Sequence, residues 1–369
     1  VKNKFSLPKA TQEGCMAEEQ DPIIPQKCCG STVVQGLLDW VRGKGRILIV
    51  THDNPDPDSL AAAVALRHLF LMGSGEEAVV AFGGVIGRSE NRLLVDALDL
   101  NLVPICDLDF DRFALFCMVD TQPGTGNNSF PAERPLHLLI DHHPPRRDYS
   151  DIYWVDVREN YGASATILFE YLRTMGFYLG TRLATCLFYA IKSETQDLGR
   201  EWSKADREAY LHLLPLSNNQ ILYQLTHPQV EGDYFCAFHR AIDNARVFGR
   251  VLVFNLYQVD NPDLVAELAD FLLRKNGVDY VLGLGWYRGD EVLSVRTTDR
   301  QARLGAVIHD ILDGMGTAGG HGMMAGGQIR NFSESKSAQQ ELEHLLVQRY
   351  IDRLGLQTEP GVPLLDRCD

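Results

Sequence analysis

Three stretches of this sequence end an apolar run in residues that bind cations or move protons. RILIV (46–50) runs into THDNPDPDS, which carries His52, Asp56 and Asp58; LFCMVD ends in Asp120; LHLLID ends in Asp141 and is followed at once by His142 and His143. A fourth acid, Asp197, stands in SETQDLG just past a helical stretch. Imidazoles and carboxylates are common metal ligands, and crowded carboxylates repel one another unless a cation neutralises them. The chemistry that suits such a set is metal-assisted: two ions side by side activate a water and stabilise the charge that grows on a phosphoryl group. Mixed nitrogen and oxygen donors fit Mn, Fe or Zn better than Mg, which prefers oxygen and keeps its waters.

Each stretch also has a plainer account. THDNPDPDS alone suits a solvated Asp/Pro turn, and Asp-His-His alone suits a capped helix start. A calcium loop, suggested by the alternation of Asn54, Asp56 and Asp58, fails because Ser59 stands where that loop needs Gly and Ala65 where it needs a bidentate Glu. What the plainer accounts leave unexplained is four segments directed at one rim of a sheet. The stretch GMGTAGGHGMMAGG (314–327) sets Gly314, Gly316 and Gly319 at G-x-G-x-x-G spacing. A dinucleotide fingerprint must follow a strand, whereas this one follows the helical pattern AVIHDILDG, which disfavours a nicotinamide cofactor. The expectation instead is a flexible loop of backbone amides at Gly319, Gly320 and His321, suited to an anionic phosphate, with Gly314 as a helix cap. Arg296 in LSVRTT, and Arg88 and Asn91 in GRSENR, are further candidates for substrate contact; an exposed strand arginine and a solvated helix start are their plainer accounts. No G-x-S-x-G nucleophile elbow is present, so a serine hydrolase has no support.

The elements that must position these residues alternate along the chain. Short Val/Ile/Leu runs at 46–50, 78–84, 115–120 and 136–141 are separated by helical patterns at 32–41, 59–71 and 90–98, the signature of a parallel sheet covered on both faces. Open sheets of this kind bind ligands beyond the carboxyl ends of their strands. Helices over 163–174 and 181–193 and a polar helical region to about 225 follow. A Pro and a Gly in a charged stretch then mark a linker, and a second unit emerges: strands at 250–256, 280–287 and 291–298, helices at 264–275 and 302–312, a glycine-rich turn, and a closing helix at 335–354. The reading is an α/β protein with a poorly structured lead-in (1–31), a catalytic domain (32–226), a linker (227–245) and a smaller α/β substrate-binding domain (246–369), with the active site in the cleft between the two domains.

Composition narrows the partners. The chain's 369 residues, 45% of them apolar, suffice for a sizeable core and suggest two domains. A formal net charge of -14 argues against stable binding of long nucleic acid, which depends on many Lys/Arg contacts to phosphates. No apolar run approaches the roughly 18 to 20 residues of a membrane span, and the opening residues are too polar for a secretory signal; the expected location is cytoplasmic. Among the eight cysteines no zinc spacing is found, and Cys117 in LFCMVD reads as a small buried hydrophobe.

With these residues in view, the chain resembles the DHH phosphoesterase family, in the RecJ-like branch that carries the DHH-associated C-terminal domain, over about residues 32–330. HDNPDPDS matches the first motif, VDT (119–121) the second, DHH (141–143) the third, the Asp of QDLG the fourth, and AGGHGMMAGG the glycine-histidine motif. The resemblance implies two Mn ions, one held by His52, Asp56 and Asp120 and the other by Asp58, Asp120, His142 and Asp197. It also implies that His143 faces the scissile phosphate and that Arg296 and His321 hold another phosphate or the terminal nucleotide. Asp141 reads as an orienter of the histidines. Ala318 departs from the family pattern, where many members have Gly; a methyl there would narrow the glycine loop. Within the family the chain is most similar to compact NrnA-type nanoRNases, which implies short RNA or DNA oligonucleotides, 3′-phosphoadenosine phosphate or cyclic dinucleotides as substrates. A pyrophosphatase or polyphosphatase, and a nucleotide sensor without catalysis, are the alternatives; whether the chain forms a homodimer is left open.

Overall fold

The computed structural model describes residues 30–145, 149–356 and 360–365, and for His321 the backbone alone. All but the last two residues of the expected lead-in lie outside the described residues. The chain runs α1 (Ser31–Val41), β1 (Ile47–Val50), α2 (Pro57–Ser74), β2 (Ala78–Phe82), α3 (Ser89–Leu98), β3 (Leu102–Pro104), β4 (Leu115–Val119), β5 (Leu138–Asp141) and β6 (Trp154–Val157). Helices α4 (Ser164–Thr174), α5 (Thr181–Glu194), α6 (Lys204–Leu213), α7 (Asn219–Thr226) and α8 (Gly232–Asn244) follow. The remainder is β7 (Arg246–Phe248), β8 (Val251–Gln258), α9 (Asp263–Leu272), β9 (Tyr280–Tyr287), β10 (Asp290–Thr297), α10 (Leu304–Ile311), β11 (Thr317–His321), β12 (Met324–Ile329), α11 (Lys336–Arg353) and β13 (Val362–Pro363).

The first six strands form one sheet in the order β3-β2-β1-β4-β5-β6, parallel throughout. From β1 the chain builds outward on one side through β2 and β3, then returns to place β4 on the other. The strand order therefore reverses between β1 and β4, and a crevice opens at their carboxyl ends. Two of the six strands, β3 and β6, were not expected. Both are edges: β3 is short and ends in Pro104, and β6 is only half-buried, so neither shows the continuous apolar run of a central strand.

The two faces of this sheet are covered differently. Ile47, Ile49, Cys117, Val119 and Ile140 pack against the helices, with α2 at the centre. Helix α2 is capped by Asp56, opens on Pro57, stops at left-handed Gly75 and carries the alanines 61–63 and 65, all buried, so that its neighbours approach closely. The opposite face, Leu48, Val50, Phe116 and Met118, is sealed by loop aromatics: Phe113, Phe110, Phe130 and Tyr149. The alternation of strands and helices predicted cover on both faces, and loops supply half of it.

The second sheet is mixed, in the order β11-β12-β10-β9-β8-β7-β13; β8 and β9 pair in parallel and its other neighbours are antiparallel. Helices α10 and α11 pack on one face through Val307, Ile308, Leu346 and Tyr350. Helices α8 and α9 pack on the other through Ala237, Ala241, Val265 and Leu268. Helix α8 thus occupies the segment read as a linker, its small residues seated on β8. The glycine-rich stretch is not a flexible loop: Thr317–His321 pairs with Met324–Ile329 as an edge hairpin of this sheet. Ala318 packs toward the apolar core of this domain, so its methyl does not narrow a loop. Among the described residues no helix is long and apolar enough to cross a membrane.

Candidate metal centre

The loop after β1 is tied down before it presents any ligand. Asp53 accepts hydrogen bonds from the backbone N–H (2.9 Å) and hydroxyl (2.8 Å) of Ser129 in the loop after β4. Gly83 lies so close that a Cβ there would collide with the Asp53 carboxylate. Asn54 takes a left-handed backbone (φ 55°) and accepts from Val85 N–H. Asn91, expected to line the crevice, instead donates to the Pro55 carbonyl at 3.3 Å and props this loop from beneath.

Four residues then converge on Asp120. Its backbone is left-handed (φ 59°), a region that few residues besides Gly, Asn and Asp adopt, and the residue is 2% exposed. Oδ2 lies 3.6 Å from Nε2 of His52 and Oδ1 3.5 Å from Nε2 of His142. Each imidazole is oriented by a backbone carbonyl at Nδ1, His52 by Asp53 (2.9 Å) and His142 by Tyr161 (3.1 Å), which turns Nε2 toward the cluster. Asp56 lies 3.6 Å from His52 Nε2 while capping α2 through Ser59 N–H. Asp58, 1% exposed, accepts from Ser164 and Ala165 N–H at the start of α4 and lies 3.8 Å from His142. Among the described residues two groups are close enough to hold an ion: His52, Asp56 and Asp120; and Asp120, His142 and His143.

Asp141 is fully buried. Its Oδ1 accepts from His143 Nδ1 and His142 N–H, both at 2.8 Å, and its Oδ2 from Gln122. It is therefore a bracket for the two histidines. Burial works against its charge, but the hydrogen bond and charge of His143, with His142 and Gln122, hold it below the usual carboxylate range.

The electrostatics of the cluster test whether cations fit. Burial and then the Asp56 charge push Asp58 up to about 7, although two backbone N–H groups oppose the shift. Burial and the charges of Asp58, Asp56, Asp141 and Glu194 push Asp120 well above the carboxylate range. Burial alone would lower His52, yet Asp56, Asp53 and Glu194 lift it to about 9. Asp56 goes the other way: burial is outweighed by the charge and hydrogen bond of His52. The upward shifts of Asp58 and Asp120 reflect crowded, buried negative charge that a divalent cation would neutralise, and the imidazole and carboxylate donor set suits such cations.

Asp197 does not join them. Both its oxygens are held by Lys192 and one by Tyr210 (3.0 Å), and it is 57% exposed. The acid from this segment that does reach the cluster is Glu194, which lines one pocket with His142 and whose charge acts on His52 and Asp120. Helix α5 runs on to Glu194, and Gln196, Asp197 and Leu198 are all left-handed (φ 48°, 57° and 61°), so the turn carries Asp197 away. A helix continued by one residue past Ser193 would have revealed Glu194.

The second domain closes the crevice. Met323 and Met324, at the turn of the β11–β12 hairpin, line that pocket together with His142, Glu194 and Arg200. Gly319 and Gly320 lie on β11; at Gly320 a Cβ would collide with Ala325 on β12. The side chain of His321 lies outside what is described. Arg296 is buried and donates to Asp270 (2.8 Å), Ser294 Oγ (2.8 Å) and Val295 O (2.9 Å). Arg88, just before α3, pairs with Glu90 at 3.7 Å and lies within the field of Asp270 and Asp263 of the second domain.

The comparisons with known proteins agree with this architecture. The pattern of the DHH family's N-terminal domain matches residues 46–191. An uncharacterised protein of Methanocaldococcus jannaschii is 32% identical over 324 residues, covering 86% of this chain and 66% of its own length. A probable bifunctional oligoribonuclease and PAP phosphatase NrnA of Streptococcus mutans is 25% identical over 166 residues, covering 44% of this chain and 50% of its own. The chain thus spans just under two thirds of one of these relatives and half of the other. Among solved structures, an exopolyphosphatase-related protein from Bacteroides fragilis shares the fold with a TM-score of 0.67 at 13% identity, covering 87% of this chain and 97% of its own. On the match to the family's N-terminal domain and the order of the motifs within it, residues 46–191 are an N-terminal domain of the DHH family, and the Asp/His groups described above lie in that domain or beside it.

Proposed function

We propose that this chain is a phosphodiesterase dependent on two divalent cations, Mn by preference, that hydrolyses short oligonucleotides and small nucleotides such as 3′-phosphoadenosine phosphate. The observation that carries this reading is Asp120, one buried carboxylate with a separate imidazole in front of each oxygen, placed where the sheet order reverses. His52, Asp56 and Asp120 would hold one cation. Asp58, Asp120, His142 and Glu194 would hold the other, Glu194 taking the part first given to Asp197. Held there, the cations would supply Lewis-acid charge against the phosphoryl oxygens and would lower the pKa of an attacking water.

The chain's own groups do the rest. His143, with Nδ1 fixed on Asp141 and the ring one third exposed, presents its other nitrogen to the cleft to hold a proton against a phosphate oxygen or the leaving group. Residues 32–226 serve as the catalytic domain and 246–369 as the substrate domain, whose hairpin turn keeps water from the scissile bond while Arg296, Gly319, Gly320 and His321 engage the substrate. Arg88 borders the same cleft. The NrnA likeness over part of the chain supports the oligonucleotide substrate; the fold shared with an exopolyphosphatase-related protein supports pyrophosphate or polyphosphate as a second reading.

The test is product release by the Mn-loaded protein from short 5′-phosphorylated RNAs, 3′-phosphoadenosine phosphate, cyclic di-AMP and pyrophosphate, with Asp120→Ala as control. Mononucleotides from the short RNAs by wild type alone are expected. Turnover of pyrophosphate only establishes the second reading.

A further inference from the structure

Arg200 has no part in the reading above, and its environment is unusual. It follows the left-handed turn after α5, and its side chain is 9% exposed. Nε is buried without a hydrogen-bond partner. One terminal nitrogen lies 3.2 Å from the sulfur of Met324, a weak acceptor, and the other lies 4.0 Å from Oδ1 of Asp270. A buried guanidinium that uses so little of its donor capacity is costly unless an anion completes it. Arg200 also borders the pocket that holds His142, so the unused donors stand beside the cation cluster.

The same Asp270 oxygen accepts from Arg296 Nε at 2.8 Å. Two guanidiniums, one from each domain, therefore converge on a single carboxylate oxygen, and Arg88 adds its positive field to theirs. A phosphate offers several oxygens to two forks where Asp270 offers one, and guanidinium–phosphate pairs are among the stronger charge-assisted hydrogen bonds. With the scissile phosphate belonging at the cluster, these arginines stand where a neighbouring phosphate would lie.

We propose that Arg200 joins Arg296, to which the family resemblance already gives a substrate phosphate, in a two-domain subsite for the phosphate next to the scissile one, and that Asp270 holds both guanidiniums until that phosphate arrives. This rests on the phosphodiesterase reading. It assigns Arg200 a substrate contact and makes Asp270 the residue that sets preference for a second phosphate.

The experiment uses the full chain with Mn and three dinucleotides: one with only its internal phosphate, one with an added 5′ phosphate, one with an added 3′ phosphate. Arg200→Ala should raise KM for a doubly phosphorylated dinucleotide about 10- to 100-fold, keep its kcat within about threefold, and leave the singly phosphorylated one within about threefold in both constants. Arg200→Lys should restore part of the loss. Asp270→Asn should lower KM for the doubly phosphorylated substrate; an unchanged or raised KM overturns the part given to Asp270. Equal losses on single and double phosphates in Arg200→Ala overturn the subsite. If wild type cleaves none of the dinucleotides, the proposed reaction fails, and inorganic phosphate decides the subsite. It must then raise the melting temperature of wild type but not of Arg200→Ala, and no rise in wild type overturns it.

Discussion

The two walls of the cleft are built from different charges: acids crowd one, and two arginines meet a single acid on the other. The first domain's rim gathers Asp56, Asp58, Asp120 and Glu194 around two imidazoles, and burial leaves Asp58 and Asp120 reluctant to ionise. The second domain's wall sets Arg296 against Asp270, and Arg200 reaches across to the same carboxylate. On the proposed function cations would complete the rim and an anion the wall, so a phosphate bridging cations and arginines would satisfy both at once. Proteins avoid leaving like charges buried together; the rim gathers acids and the wall brings two arginines to one carboxylate, and the proposed cations and substrate would supply the counter-charge that each lacks.

The largest expected effect breaks the rim. Asp120→Ala removes the carboxylate shared by both ion positions and should lower turnover about 1000-fold or more, with bound Mn falling from two per chain when counted by elemental analysis. The metal-free variant should melt no lower than wild type, because the carboxylate lost is one that burial and its acidic neighbours disfavour. A marked drop in the melting temperature without metal would mean that Asp120 holds the fold rather than the ions.

The next effect is on pH. Asp58 is raised to about 7 and His52 to about 9, and Asp120 is raised as well. A folded-state pKa above the unfolded value gives stability that is present at low pH and lost as pH rises through the folded value. The metal-free protein should therefore lose stability between about pH 5 and 9. Asp56 and Asp141, shifted down, matter only below that window. Saturating Mn should cancel the loss, raising the melting temperature by about 5 °C or more at pH 8 and by less at pH 5. Equal Mn shifts at both pH values would contradict proton release from the rim.

A smaller contrast separates two acids three residues apart. Glu194→Gln should cut turnover about 100-fold and weaken Mn binding, whereas Asp197→Asn should stay within about threefold. The reverse order would return the fourth-segment ligand to Asp197.

That pair also shows how far the sequence could be read. The acids and histidines after β1, β4 and β5 were legible because each follows an apolar strand, and period and polarity are local signals. Glu194 was not, since placing it requires the end of α5 to one residue and three successive left-handed residues that carry no glycine to announce them. The hairpin of β11 and β12 was hidden for a different reason: glycines disfavour strands, and edge pairing is decided by neighbours distant in sequence. Helix α8 lay behind Pro228 and Gly232, which read as a linker. Arg200 gave no signal at all, because its burial is made by the other domain.

The smallest expected effect tests whether like-charge crowding is enough to make a site. Glu291, on β10 at the end away from Arg296, is 1% exposed; one carboxylate oxygen is buried without a partner, and burial together with the Glu343 charge raises it to about 8. It is a crowded acid pair like those of the rim, yet among the described residues it belongs to neither of the groups close enough to hold an ion. Its raised pKa means that stability present below about pH 4.5 is lost as pH rises to about 8. Glu291→Gln should therefore melt higher than wild type at pH 8.5, match it near pH 4.5, and leave turnover and the two bound Mn unchanged. Loss of a bound ion in this variant would make acid crowding alone sufficient to recruit a cation. Unchanged Mn with a flattened pH dependence would show that the rim differs by its imidazoles and by the opposing arginine wall, not by its carboxylates alone.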